Sequence, residues 1–227
     1  MLKELLDFLL KPKPSQVSLN IEKKLKNILK VYVYYFIFLL IVMGTCFYVL
    51  DIQEQNLVAE KIKKWSVLKT LVYGVVMVPL LEELMFRLPM IYQKKNFVIA
   101  VFIGTFFFFS AILFNQGLLD FSKNTFERLL LSAFVTSLFY CFIRVNNEKT
   151  RLFWKNNFSI IFYFLTLLFA LLHVFNIVEI KNAYLIPILI LPQLSSGLLI
   201  GFFRVKYGFI YGVIFHCLNN FVSMILF

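Results

Sequence analysis

Charge is scarce in this chain, and so are histidine and cysteine. Only 15% of the residues are charged and 61% are hydrophobic, with a mean hydropathy of +0.83. A soluble domain is about 45–50% apolar and about 25% charged. With 29 Phe and 11 Tyr there is too little polar surface to coat a water-soluble particle. That excludes the soluble globular classes and leaves an integral, multi-spanning membrane protein. Long polar stretches are missing too: none between apolar runs exceeds about 16 residues, too short for a core of its own, so no separate soluble domain is expected. The three cysteines, Cys46, Cys141 and Cys217, fall in apolar segments without CxxC spacing. An odd count of that kind excludes a disulfide framework and a cysteine-based zinc site, and they read as small buried hydrophobes. No cleavable signal peptide is read at the start, because Met1–Leu10 carries Glu4 and Asp7 and leads into a Lys-rich stretch.

The net charge of +11 would point to nucleic acid in a soluble protein. Here the basic residues lie in short loops between apolar runs, where they serve as retention signals and contacts to anionic lipid headgroups. No nucleic-acid partner is expected; membrane lipids are.

The expected fold is all-α and polytopic. Seven segments are apolar and long enough to cross about 30 Å of hydrocarbon: roughly 31–50, 67–92, 97–114, 129–145, 158–178, 185–203 and 207–227. Six to eight crossings bracket that reading, with 97–114 and 129–145 the shortest. Residues 1–30 form a basic N-terminal segment and a candidate interfacial helix; residues 31–227 form the transmembrane domain. With the N-terminus on one side, that side collects 15 Lys and Arg and the other 7 (Lys61, Lys63, Lys64, Lys69, Lys123, Arg128 and Lys181), leaving Arg87 inside the membrane. The positive-inside rule makes the N-terminus cytoplasmic, and seven crossings put Phe227 outside.

Against that apolar background stands Glu82-Glu83-Leu84-Met85-Phe86-Arg87. A charge near the centre of a membrane helix costs about 2.5–3.5 kcal/mol, so three within six residues mark a functional site. The only two histidines, His173 and His216, also lie in apolar segments. Helix rise places Glu82 roughly 16 Å and His216 roughly 15 Å from the cytoplasmic loops, but His173 roughly 24 Å, a poorer match. Glu83 and Arg87, four apart, face each other in the favourable order, while Glu82 points about 100° away. His216 and Asn220 are likewise four apart and share a face. A carboxylate, two imidazoles and an amide in a low-dielectric pocket suit activation of a water and stabilisation of an oxyanion.

Glu82-Glu83-xxx-Arg87, Phe169-xxx-His173 and His216-xxx-Asn220, in that order on separate segments, resemble the CAAX protease and bacteriocin-processing (CPBP, or Abi) family of intramembrane endopeptidases. The resemblance covers residues 67–227. It implies a helical cavity open to the cytosol and hydrolysis of a peptide bond by water, without a covalent enzyme intermediate. Glu82 then resembles the general base and His173 a group that binds or activates the water. His216 and Asn220 resemble the oxyanion pair, and Glu83 with Arg87 a supporting ion pair. A metal-free mechanism is favoured; were zinc bound, Glu82, His173 and His216 would hold it. The implied substrates are peptides or membrane proteins: CAAX tails, bacteriocin leaders or signalling peptides. The Lys-, Asn-, Phe- and Ile-rich composition points to a bacterial cell membrane. Two features depart from the family pattern. Leu88-Pro89 follows the arginine where many members have glycine, which predicts a kink or an altered helix end. Glu82 and His173 are also 91 positions apart, with two additional apolar segments between them.

Other features read as packing. Phe106–Phe109 faces lipid or other helices. Ser195-Ser196-Gly197 and Gly201 offer small residues for close helix contact, with no His–Asp partner for a serine nucleophile. Cys217 beside His216 is a poor thiol–imidazole pair, and Pro187 and Pro192 predict kinks. Two other functions compete with hydrolysis: a non-proteolytic membrane scaffold or bacteriocin self-immunity protein of the same fold, and a small transporter using Glu82, Glu83 and Arg87.

Overall fold

The structure, a computed structural model, describes residues 1–50, 64–117, 119–176 and 183–226. Lys61, Lys63, Lys181 and Phe227, which entered the sidedness argument, lie outside the described residues. All regular structure among the described residues is helical. The main helices are α1 (Leu2–Leu10), α2 (Ile21–Leu50), α3 (residues 67–86), α4 (Lys94–Leu113), α5 (Thr125–Val145), α6 (Asn147–Asn156), α7 (Phe158–Leu172, continued by a 3-10 turn His173–Asn176), α8 (Leu191–Lys206) and α9 (Phe209–Leu226). Among the described residues four are long and apolar enough to cross a membrane: α2 over Ile21–Cys46, α4, α5, and α7 with its 3-10 turn. The apolar part of α9, Phe209–Ile225, is shorter.

Two expected segments are interrupted at prolines. Over 67–92 the chain is π-helical at Thr70–Met77, ahead of Pro79, and the helix ends at Phe86, ahead of Pro89. Over 185–203, Pro187 and Pro192 each occupy the first turn of a new helix, Ile186–Leu189 and then α8. In a first turn the missing N–H of proline costs nothing, so these prolines open helices instead of kinking one.

The chain divides into two compact units, Met1–Leu80 with Phe162–Phe227, and Leu81–Ile161. In the first, α8 and α9 form a hairpin turning at Tyr207-Gly208. Gly208 adopts φ +113°, where an L side chain is strained. A Cβ at Gly212 would stand 3.2 Å from the Ile200 carbonyl, so glycine is what lets α9 approach α8. Phe202, Phe203 and Phe215 are completely buried beside this turn. The basic run Lys23 to Lys30 does not precede the first long helix but rides on it, because Asn20 accepts from the Lys23 amide (2.9 Å) and starts α2 ten residues early. Glu22 and Lys26 then pair at 2.7 Å along the same face.

In the second unit α4 packs along α5. Arg128, counted in the sequence as a loop cation, is fully buried in the first turn of α5. Its guanidinium donates to the Ser110 hydroxyl (3.1 Å), the Gly117 carbonyl (3.4 Å) and the Asp120 carbonyl, and lies 5.0 Å from the Phe106 ring centre. The loop reaches it by turning at Asn115 and Asn124, both at positive φ, a region asparagine tolerates. At the loop tip the Ser122 hydroxyl (2.6 Å) and amide (3.0 Å) donate to Asp120 and hold its carboxyl below the usual carboxylate range.

Candidate functional site

The expected site residues fall into two groups, one in each unit. In the unit Leu81–Ile161, Glu83 and Arg87 are both fully buried, one turn apart, with Arg87 Nε 3.8 Å from Glu83 Oε2. Glu82 is only partly buried. The two glutamates therefore divide as 100° of helical rotation requires: Glu83 inward with the arginine, Glu82 on another face.

The helix carrying them stops because Arg87 (φ −103°, ψ −28°) leads into the 3-10 turn Leu88–Met90, and Ile91 is extended. That break is braced by groups the sequence reading passed over. Trp154 Nε1 donates to the Pro89 carbonyl (3.0 Å), and Asn96 Nδ2 to the Ile91 carbonyl (3.0 Å). The Tyr92 hydroxyl lies 2.9 Å from Asn147 Oδ1. Trp154 and Asn147 belong to α6, a polar helix where a loop was expected. Trp154 also stacks edge-on against Phe97 at 4.4 Å. The available signal was a lone tryptophan within a Lys- and Asn-rich stretch.

In the other unit the two histidines meet at one side chain. The Phe169 ring is 2% exposed; His173 lies edge-on to it at 4.7 Å and His216 at 5.7 Å. Counting helix rise separated these histidines by about 9 Å of depth. Phe169 lies one turn before His173 on α7, so its ring spans part of that difference and each histidine reaches it from its own helix. His173 Nδ1 lies 2.8 Å from the Phe169 carbonyl. A carbonyl only accepts, so Nδ1 carries a proton, and in the singly protonated ring Nε2 presents the lone pair. Such a nitrogen fits binding a water or a metal. Among the described residues no group of three or more His, Cys, Asp and Glu is arranged to hold a metal ion. The Ser195 and Ser196 hydroxyls donate to carbonyls of α8 itself, at 2.7 Å (Leu191) and 3.1 Å (Gln193).

Asn220 has a structural task that the sequence did not reveal. In the π-helical stretch Val78 donates its N–H five residues back, to Tyr73. The next step of that ladder would run from residue 79 to Gly74, but residue 79 is proline and has no N–H. Asn220 Nδ2 supplies the missing donor, 3.0 Å from the Gly74 carbonyl. The amide is thereby held in one orientation while its second N–H stays available for other chemistry.

This predicts a measurable coupling. Asn220→Ala should destabilise the protein by about 1 kcal/mol, the cost of a part-buried carbonyl left without its donor. In a Pro79→Ala background, where residue 79 regains its N–H, the same substitution should cost less by at least about 0.5 kcal/mol. Detergent unfolding of the four proteins in the cycle measures this, and additive losses would contradict the assignment.

Comparison with protein-family models, with characterised proteins and with solved structures finds no match to this chain.

Proposed function

We propose that the chain is an intramembrane endopeptidase of the CPBP type, with about seven membrane crossings and a cytoplasmic N-terminus in a bacterial cell membrane. The observation that best supports this reading is the meeting of His173 and His216, the chain's only histidines, at the Phe169 ring. In the proposed reaction Glu82 takes a proton from water and the resulting hydroxide adds to the scissile carbonyl. His173, through Nε2, orients that water. His216 and one N–H of Asn220 stabilise the oxyanion, and the proton held by Glu82 passes to the leaving amine. Glu83 and Arg87 are the buried pair that fixes the helix turn carrying Glu82.

The substrate class is a peptide or membrane-associated protein. Its identity is best found by comparing membrane peptides from cells carrying the wild-type or Glu82→Ala protein. Peptides that accumulate uncleaved only with the variant identify the substrate and the base together. Identical peptide sets, with both proteins at equal abundance, would favour the non-proteolytic scaffold or immunity reading; proton or ion flux in proteoliposomes without cleavage would favour the transporter. Metal content is a separate arm of the test. Stoichiometric zinc in the purified protein, lost in His173→Ala, would replace the metal-free mechanism with one in which Glu82, His173 and His216 hold the ion.

A further inference from the structure

Helix α1 has three faces, and only two belong to an ordinary surface helix. Leu5 and Phe8 are buried, with Phe8 edge-on to Phe162 (5.2 Å) and Phe202 (5.3 Å). Leu2, Leu6 and Leu10 recur every fourth residue and stand 42%, 61% and 83% exposed. At 100° per residue these leucines span about 80° of arc, and Lys3, Glu4, Asp7 and Lys11 occupy the arc that follows. The polar arc opens on a cleft of about 480 Å³, also lined by Lys13 and Lys206.

The cleft is cationic and partly built. Four lysines face two carboxylates. Lys206 is fixed, not trailing: its ammonium donates to the Ser15 hydroxyl (2.7 Å), lies 4.0 Å from Glu4 and sits 5.6 Å from the Phe8 ring centre. Its side chain is only 14% exposed. The strap after α1 is held as well, with the Val17 amide donating to the Lys206 carbonyl at 2.9 Å.

We propose that α1 lies in the membrane interface and that this cleft binds the phosphate of an anionic phospholipid. The inference rests on the membrane reading above. A lipid is the occupant that satisfies both halves of the observation at once. Its phosphate meets the excess of lysines, and its acyl chains continue onto the adjoining leucine face, which no soluble phosphate compound would cover. Lys3, Lys11 and Lys13 supply the charge that is not already engaged by Glu4, and Leu2, Leu6 and Leu10 supply the apolar contact.

The test uses the full-length protein purified in detergent and titrated with short-chain phosphatidylglycerol, short-chain phosphatidylcholine and glycerol 3-phosphate. Phosphatidylglycerol is expected to bind about tenfold more tightly than phosphatidylcholine. That preference should disappear in Lys3→Gln/Lys11→Gln/Lys13→Gln, whose three positions are exposed and whose melting should match wild type. Leu6→Asn should weaken phosphatidylglycerol binding and leave glycerol 3-phosphate unaffected. Equal binding of the two lipids, or full preference retained in the folded triple variant, would overturn the proposal. So would glycerol 3-phosphate competing as well as the lipid, which would mark a site for soluble phosphates. A wild-type chain absent from the membrane fraction would instead overturn the membrane reading itself.

Discussion

Glu82→Gln is expected to lower peptide hydrolysis by about 10²–10⁴-fold, the contribution of a positioned general base, while leaving the amount of folded protein near wild type. Glutamine keeps the shape of the side chain and removes its basicity. Glu82 is only partly buried, so this isosteric change is expected to cost about 1 kcal/mol or less. The separation of the two readouts is the test. Activity and melting temperature should be measured on the same preparations, with the peptides identified from cells as substrates. Wild-type hydrolysis by the glutamine variant would remove Glu82 from the mechanism, whereas loss of activity with loss of fold would leave only a structural role.

The neighbouring position should behave in the opposite way. Glu83→Leu or Arg87→Met alone is expected to destabilise the protein by about 3–5 kcal/mol, because each removes one member of a fully buried pair and leaves the other charge out of water. That is a large part of a typical stability of about 5–15 kcal/mol, so each single variant should be strongly depleted from membranes. The double variant replaces both charges with apolar side chains of similar length and should recover much of the loss. Thermal melting in detergent and membrane abundance report this together. A double variant as unstable as the worse single one would show that the two side chains do not act as a pair.

Much of this site was legible because helical geometry is simple. The spacing of residues 82, 83 and 87 foretold which glutamate turns toward the arginine, and the burial pattern follows it. The scarcity of histidine singled out His173 and His216. Their placement was less legible, because counting residues locates each histidine on its own helix and does not show that Phe169 would stand between the two rings. The role of Asn220 was hidden for a different reason. It depends on a carbonyl orphaned by a proline in another segment, and a backbone hydrogen bond that is missing leaves no mark in hydropathy. Arg128 and α6 were misread for a shared reason. A charge outside an apolar run looks solvated, yet Arg128 is buried under loop carbonyls, and the polar helix α6 puts Trp154 against the turn after Arg87. The regularity of two apolar segments was also hidden, since composition cannot distinguish a continuous α-helix from one that widens before Pro79 or restarts at Pro192.

The bond from Asn220 to Gly74 also has an evolutionary consequence. If that amide serves only to repair the backbone, asparagine at position 220 is needed only where position 79 is proline, and the two residues should be lost together in descendants of a common ancestor. If the amide also stabilises an oxyanion, asparagine should persist after the proline has gone. Lineages in which position 79 has drifted to another residue therefore constitute a natural experiment on whether position 220 is held by chemistry or by architecture.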